Sequence, residues 1–107
     1  MCIRDSYTFI PLDHYANVAQ AVFEVGAGYI GNYSEASFSA PGMGTFKGNE
    51  ASNPVVGKKG VMETVEEVKF ETIFPAVIER KVVEALIKAH PYEEVAYDIE
   101  MCIRDSG

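Results

Sequence analysis

An α+β sandwich built in the order strand, helix, strand, strand, helix, strand is the fold class this chain predicts, and three observations carry it. Two segments place apolar residues at helical spacing. Several short runs alternate or cluster as strands do, and glycine or proline punctuates the joins. The order βαββαβ is the split, ferredoxin-like arrangement, which can close one two-layer core.

The first element is the apolar run Tyr7-Thr8-Phe9-Ile10-Pro11-Leu12, suited to a buried strand. Asp13 is placed to cap the helix that follows. Tyr15, Val18, Ala19, Val22 and Phe23 fall at i, i+3, i+4, i+7 and i+8, with Asn17, Gln20 and Glu24 facing away. Gly26 fits the position after the last turn of that helix. A second strand is expected around Tyr33–Ser39. Glu67-Val68-Lys69-Phe70-Glu71 alternates at period two and marks a third, with one wet face. Ile78, Val82, Ala85, Leu86 and Ala89 make the stripe of the second helix, with His90 as its last residue, because Pro91 disfavours helical geometry there. Val95, Tyr97 and Ile99 against Ala96, Asp98 and Glu100 give the final strand.

Between the second and third strands lie about twenty residues, Pro41 to Gly60, with five glycines and two prolines. The expectation is a long glycine-rich hairpin arm, with Thr45-Phe46 as a short strand in it. Packing on a neighbouring subunit is the favoured role for the arm, ahead of a ligand-binding flap.

The hexapeptide Met1-Cys2-Ile3-Arg4-Asp5-Ser6 recurs unchanged as Met101-Cys102-Ile103-Arg104-Asp105-Ser106. Structural repeats diverge and have periods of tens of residues. An identical pair at the two ends reads instead as the translation of a transposon-end sequencing adapter. Residues 1–6 and 101–107 are therefore expected to be adapter-derived scars, leaving 7–100 as a single domain. Both cysteines fall inside the scars, so the segment between them offers no disulfide framework, thiolate nucleophile or zinc knuckle. Each scar carries one Arg and one Asp, so the formal charge of −7 belongs to residues 7–100. That charge disfavours nucleic acid or an anionic membrane as partner. No apolar run has the length of a membrane span, and a cytoplasmic location is the expectation. A core of this size is near the small end, so oligomerisation would add stability.

Two features invite a functional reading. Gly26-Ala27-Gly28-Tyr29-Ile30-Gly31 matches GxGxxG literally, yet a dinucleotide fingerprint must follow a strand and open a helix. Here the glycines follow a helix, so a glycine cap and a tight helix-to-strand turn are the better reading. The stretch from Ala89 to Asp98 is denser in polar and aromatic groups than a turn requires. His90, Tyr92, Glu93, Glu94, Tyr97 and Asp98 are the candidate ligand or interface cluster. His90 could be a partly cationic helix cap, a metal ligand or an acid–base group beside a carboxylate. The cap is favoured, because only His14 and His90 are present and a metal site built on side chains needs three or four ligands.

Gly26–Ser34, Gly44-Thr45-Phe46, Asn53-Pro54-Val55-Val56-Gly57, Glu67–Pro75 and His90–Asp98 together, in that order and spacing, resemble the CutA/PII-like domain inserted in YqfO-like proteins. These form the Nif-three-like dinuclear-metal family, the GTP cyclohydrolase 1 type 2 homologues. The resemblance implies a ferredoxin-like fold and assembly as a trimer by edge-to-edge sheet packing, with a hexamer open to a full-length parent. The family's metal ligands lie in the halves flanking the insert and correspond to nothing in residues 7–100. The resemblance thus implies no catalytic, cofactor or metal residue here. A divalent metal pair is implied only where the flanking halves exist, and any metal-dependent hydrolysis belongs to that parent. Three roles follow, in order of preference. The first is an accessory assembly or regulatory domain of such a protein. The second is a free-standing trimeric PII/CutA-like binding or sensor domain for a small ligand or metal ion. The third is a small enzyme with His90 as general base.

Overall fold

The computed structural model describes residues 3–47, 60–92 and 94–102. The elements are β1 (Ile3–Pro11), α1 (Tyr15–Glu24), β2 (Ser37–Lys47), β3 (Met62–Pro75), α2 (Glu79–Ala89) and β4 (Tyr97–Cys102). The sheet is antiparallel with order β2-β3-β1-β4, which is the ferredoxin-like topology anticipated from the element order.

Both helices lie on one face of the sheet. Val18, Ala19 and Val22 of α1 and Val82 and Leu86 of α2 meet Ile10, Phe70 and Phe74 of the strands. Full burial of each large side chain stabilises by roughly 1.5–3 kcal/mol, so this patch holds the two layers together. Two buried threonines face the same layer and both are satisfied: Thr8 Oγ1 donates to the Ala96 carbonyl and Thr72 Oγ1 to that of Ala36, each at 2.8 Å.

Several boundaries differ from the sequence reading, each for a physical reason. Asp13 does not cap α1. Pro11 (φ −54°) leads into a 3-10 turn at Leu12–His14, which takes up Asp13 and moves the helix start to Tyr15, with His14 at the uncapped N-terminal position. The second strand starts at Ser37, because Ile30 and Tyr33 first exchange both backbone hydrogen bonds in a tight turn. β4 begins at Tyr97 rather than Val95, and β1 reaches back to Ile3. Ladder bonds are made by backbone, so Ile3–Ser6 fill rungs whatever their origin.

The GxGxxG segment is a helix exit. Gly26 N–H donates to the Phe23 carbonyl at 3.0 Å and Ala27 N–H to that of Val22 at 3.4 Å, the paired bonds of a Schellman motif, with Gly26 at φ +112°. Gly28 then donates to the Ile73 carbonyl at 2.7 Å. A Cβ there would sit 2.8 Å from the Ala36 nitrogen, so backbone approach demands glycine.

The largest departure is the arm. Residues 41–47 continue β2, and β3 begins at Met62, with paired rungs from Ser37↔Thr72 to Lys47↔Met62. Thr45-Phe46 is strand as expected, but within one continuous element. β1 stops opposite Glu67, so beyond that rung the sheet is a two-stranded ribbon. Residues 48–59, which include the Asn53-Pro54 turn signal, lie outside the described residues.

Candidate functional site

The stretch from residue 90 to residue 98 divides in two. His90 is the C-terminal cap of α2, and Pro91 pushes it out of helical geometry to φ −72°, ψ 137°. That turn drives its ring inward, leaving the residue 6% exposed. Nδ1 accepts from the Tyr92 N–H at 3.2 Å, so Nε2 carries the proton and donates to the Phe9 carbonyl at 2.7 Å. Burial pulls the His90 pKa below its usual value, against the Phe9 bond and the Glu67 charge that would raise it, and His14 lowers it further. The imidazole is therefore a neutral tie between α2 and β1. The residue does cap α2, and burial disfavours the cationic form that the cap reading expected. Neither ring nitrogen is free to bind a metal or take a proton.

Tyr92 extends the tie to the arm. Its hydroxyl donates to Glu67 Oε2 at 2.7 Å, and its ring packs on His90 at 4.9 Å and beside Phe46 at 6.3 Å between centroids. Burial, then the Glu67 carboxylate, pushes its phenol well above the ordinary range. Glu67 and Phe46 were missed as site residues by the sequence reading. The period-two alternation put Glu67 on the wet face, but no local signal brings residue 67 to residue 92.

The other candidates stand apart. Glu94 is exposed, and Glu93 lies outside the described residues. Tyr97, 40% exposed, lies with Val77, Val83 and Ile99 along an open groove between α2 and β4. Asp98 sits on the opposite, helix-free face of the sheet. There it accepts from the Tyr7 hydroxyl at 3.3 Å and from the Ile99 N–H at 2.9 Å. The Asp98 charge pushes the Tyr7 phenol up, and Lys69 Nζ lies 4.5 Å from the centre of the same ring. On that face Asp5 is pushed up to about 6 by burial and by Glu71 and Glu100 beside it. Among the described residues no three His, Cys, Asp or Glu side chains converge as metal ligands would. No helix among them is long and apolar enough to cross a membrane.

No protein-family model matches the chain. A protein of Halalkalibacterium halodurans named GTP cyclohydrolase 1 type 2 homolog is 52% identical over 91 residues, 85% of this chain and 24% of its own length. Its Bacillus subtilis namesake is 46% identical over the same shares. A solved Bacillus cereus protein related to NIF3 superposes with a TM-score of 0.82 at 44% identity, covering 96% of this chain and 26% of that one. Two more distant structures share the fold. CutA from Archaeoglobus fulgidus gives a TM-score of 0.67 at 14% identity over 95% of this chain and 85% of its own. GlnK of Bacillus subtilis gives 0.63 at 9% over 94% and 82%. The chain spans about a quarter of the length of the relatives it matches. It is a relative of the GTP cyclohydrolase 1 type 2 homologues and of NIF3-related proteins, and it has the CutA/PII-like, ferredoxin-like fold.

Proposed function

We propose that this domain is an accessory assembly module of a larger dinuclear-metal protein, joining copies of its host and contributing no metal ligand itself. One observation carries the reading. β1 and β4 are antiparallel neighbours with Tyr7 opposite Asp98, close to the two ends of residues 7–100, while the β2–β3 arm projects from the far end of the same sheet. A host chain would enter and leave side by side, the geometry that tolerates insertion. The arm would then point away from that host, towards another copy. The quarter-length match to the relatives fits an insert.

The occupant of the helix-free sheet face is, on this reading, a second and third copy of the same domain. Phe38 is 67% exposed there and Phe9 37%, apolar area that association would remove from water. Multi-angle light scattering on the isolated chain is expected to give three times the monomer mass. A monomer persisting at high concentration would overturn the assembly role.

A second reading has its own support, since the chain covers 85% of the CutA chain and 82% of the GlnK chain. A free-standing trimeric domain of that size would bind a small ligand or metal ion between subunits. Calorimetric titration with divalent cations, then with ATP, separates the two. Saturable heat favours the sensor, and its lack in a stable trimer favours the assembly module. On either reading we place the protein in the cytoplasm.

A further inference from the structure

We infer that Tyr92, Glu67 and Gly44 form a clasp that sets the angle of the arm against the body of the domain. The inference concerns a single copy and holds whatever the assembly state.

The ribbon beyond Glu67 needs such support. From Met43↔Glu66 to Lys47↔Met62 it has two strands only, and a two-stranded hairpin is marginal in water on its own. Fixing it requires contacts from the body at the point where β1 ends. Tyr92 supplies them: its hydroxyl holds Glu67 at 2.7 Å, and its ring lies beside Phe46 on the other strand of the ribbon. Tyr92 is itself anchored. Its N–H is bound by His90 Nδ1, and His90 Nε2 is bound to Phe9 of β1. A continuous chain of contacts thus runs from the central strand, through His90 and Tyr92, to both strands of the arm.

Gly44 explains how the clasp closes. It lies two residues along β2 from Gly42, the rung partner of Glu67, and so shares a sheet face with that carboxylate. A Cβ built at Gly44 would run into the Glu67 carboxylate. The backbone at Gly44 is not among the positive-φ positions, so the constraint there is the carboxylate lying over the strand, which a side chain would have to push aside. Glu67 can reach Tyr92 along this path because residue 44 has no side chain. An alanine there displaces the carboxylate and opens the clasp without altering either bonding partner.

Hydrogen exchange on the full chain tests this. In Tyr92→Phe, amides of residues 42–47 and 62–66 are expected to exchange about tenfold faster, the size of a lost hydrogen bond to a charged acceptor. Core amides at Ile10, Val18, Phe70 and Val82 are expected to keep wild-type protection. Gly44→Ala should reproduce the arm effect, and Glu67→Gln, which retains an acceptor oxygen, should hold arm exchange within about threefold of wild type. Unchanged arm exchange in both Tyr92→Phe and Gly44→Ala would overturn the clasp. So would acceleration spread equally over arm and core, which would mark general destabilisation.

Discussion

His90 and Tyr92 on one side, and Glu94, Tyr97 and Asp98 on the other, are eight or fewer residues apart in the chain but differ in nearly every physical respect. In the first pair His90 is buried and Tyr92 half-buried, with both imidazole nitrogens and the phenol bound to partners on β1, β3 and the backbone. The second group is exposed, with Tyr97 and Asp98 on opposite faces of the edge strand and Glu94 in the loop before it. Density of chemistry-bearing residues along a sequence does not make a site. A proline that turns one ring inward, followed by a strand that alternates, sends neighbours in opposite directions.

The sharpest way to break this comparison is His90→Ala. It removes two hydrogen bonds and leaves a void under α2, so a loss of about 2–3 kcal/mol is expected in chemical denaturation. A variant as stable as the wild type would return His90 to the pool of free functional groups. A smaller effect appears in pH dependence. Because the folded His90 holds its proton less tightly than the unfolded one, the unfolded state gains protons first as the medium acidifies. The His90 contribution to stability is full above about 6.5 and is lost as pH drops below that value. Asp5 works oppositely, its raised pKa weakening the fold as pH rises from 3.8 through about 6. The difference between wild type and His90→Gln isolates the histidine, and parallel curves would remove it as a source of the slope. The smallest effect is expected at Asp98→Asn, within about 0.5 kcal/mol, because its contacts are exposed. A drop above 1 kcal/mol would show that the exposed half is also structural.

Much of the fold was legible because periodicity reports directly on which face is buried. Val18, Val22, Val82 and Leu86 were all placed in the helical stripes and are all in the core. The Gly26 exit and the Pro91 stop followed from backbone sterics that act locally. Asp13 shows the limit of the same logic, since a 3-10 turn set by the preceding proline displaced it. The arm was legible as a hairpin with strand at Thr45-Phe46 but not as a continuation of β2, because Pro41, Gly42 and Gly44 resemble loop composition while register with β3 holds them extended. Of the site, His90 and Tyr92 could be picked out, but Glu67 and Gly44 could not. Their meeting depends on sheet register over more than twenty residues, which single-residue chemistry does not encode.

The pairing of Tyr7 with Asp98 has an entropic consequence. Across an antiparallel rung the two Cα atoms are only about 5 Å apart. To any chain spliced beside that rung, the folded domain is equivalent to a very short turn, although some ninety residues separate the two partners. Unfolded, the same residues form a long loop whose closure penalty grows with the logarithm of its length. A host therefore closes its own contacts more readily once this domain has folded. Folding of the inner segment before the outer one is the thermodynamically coupled order.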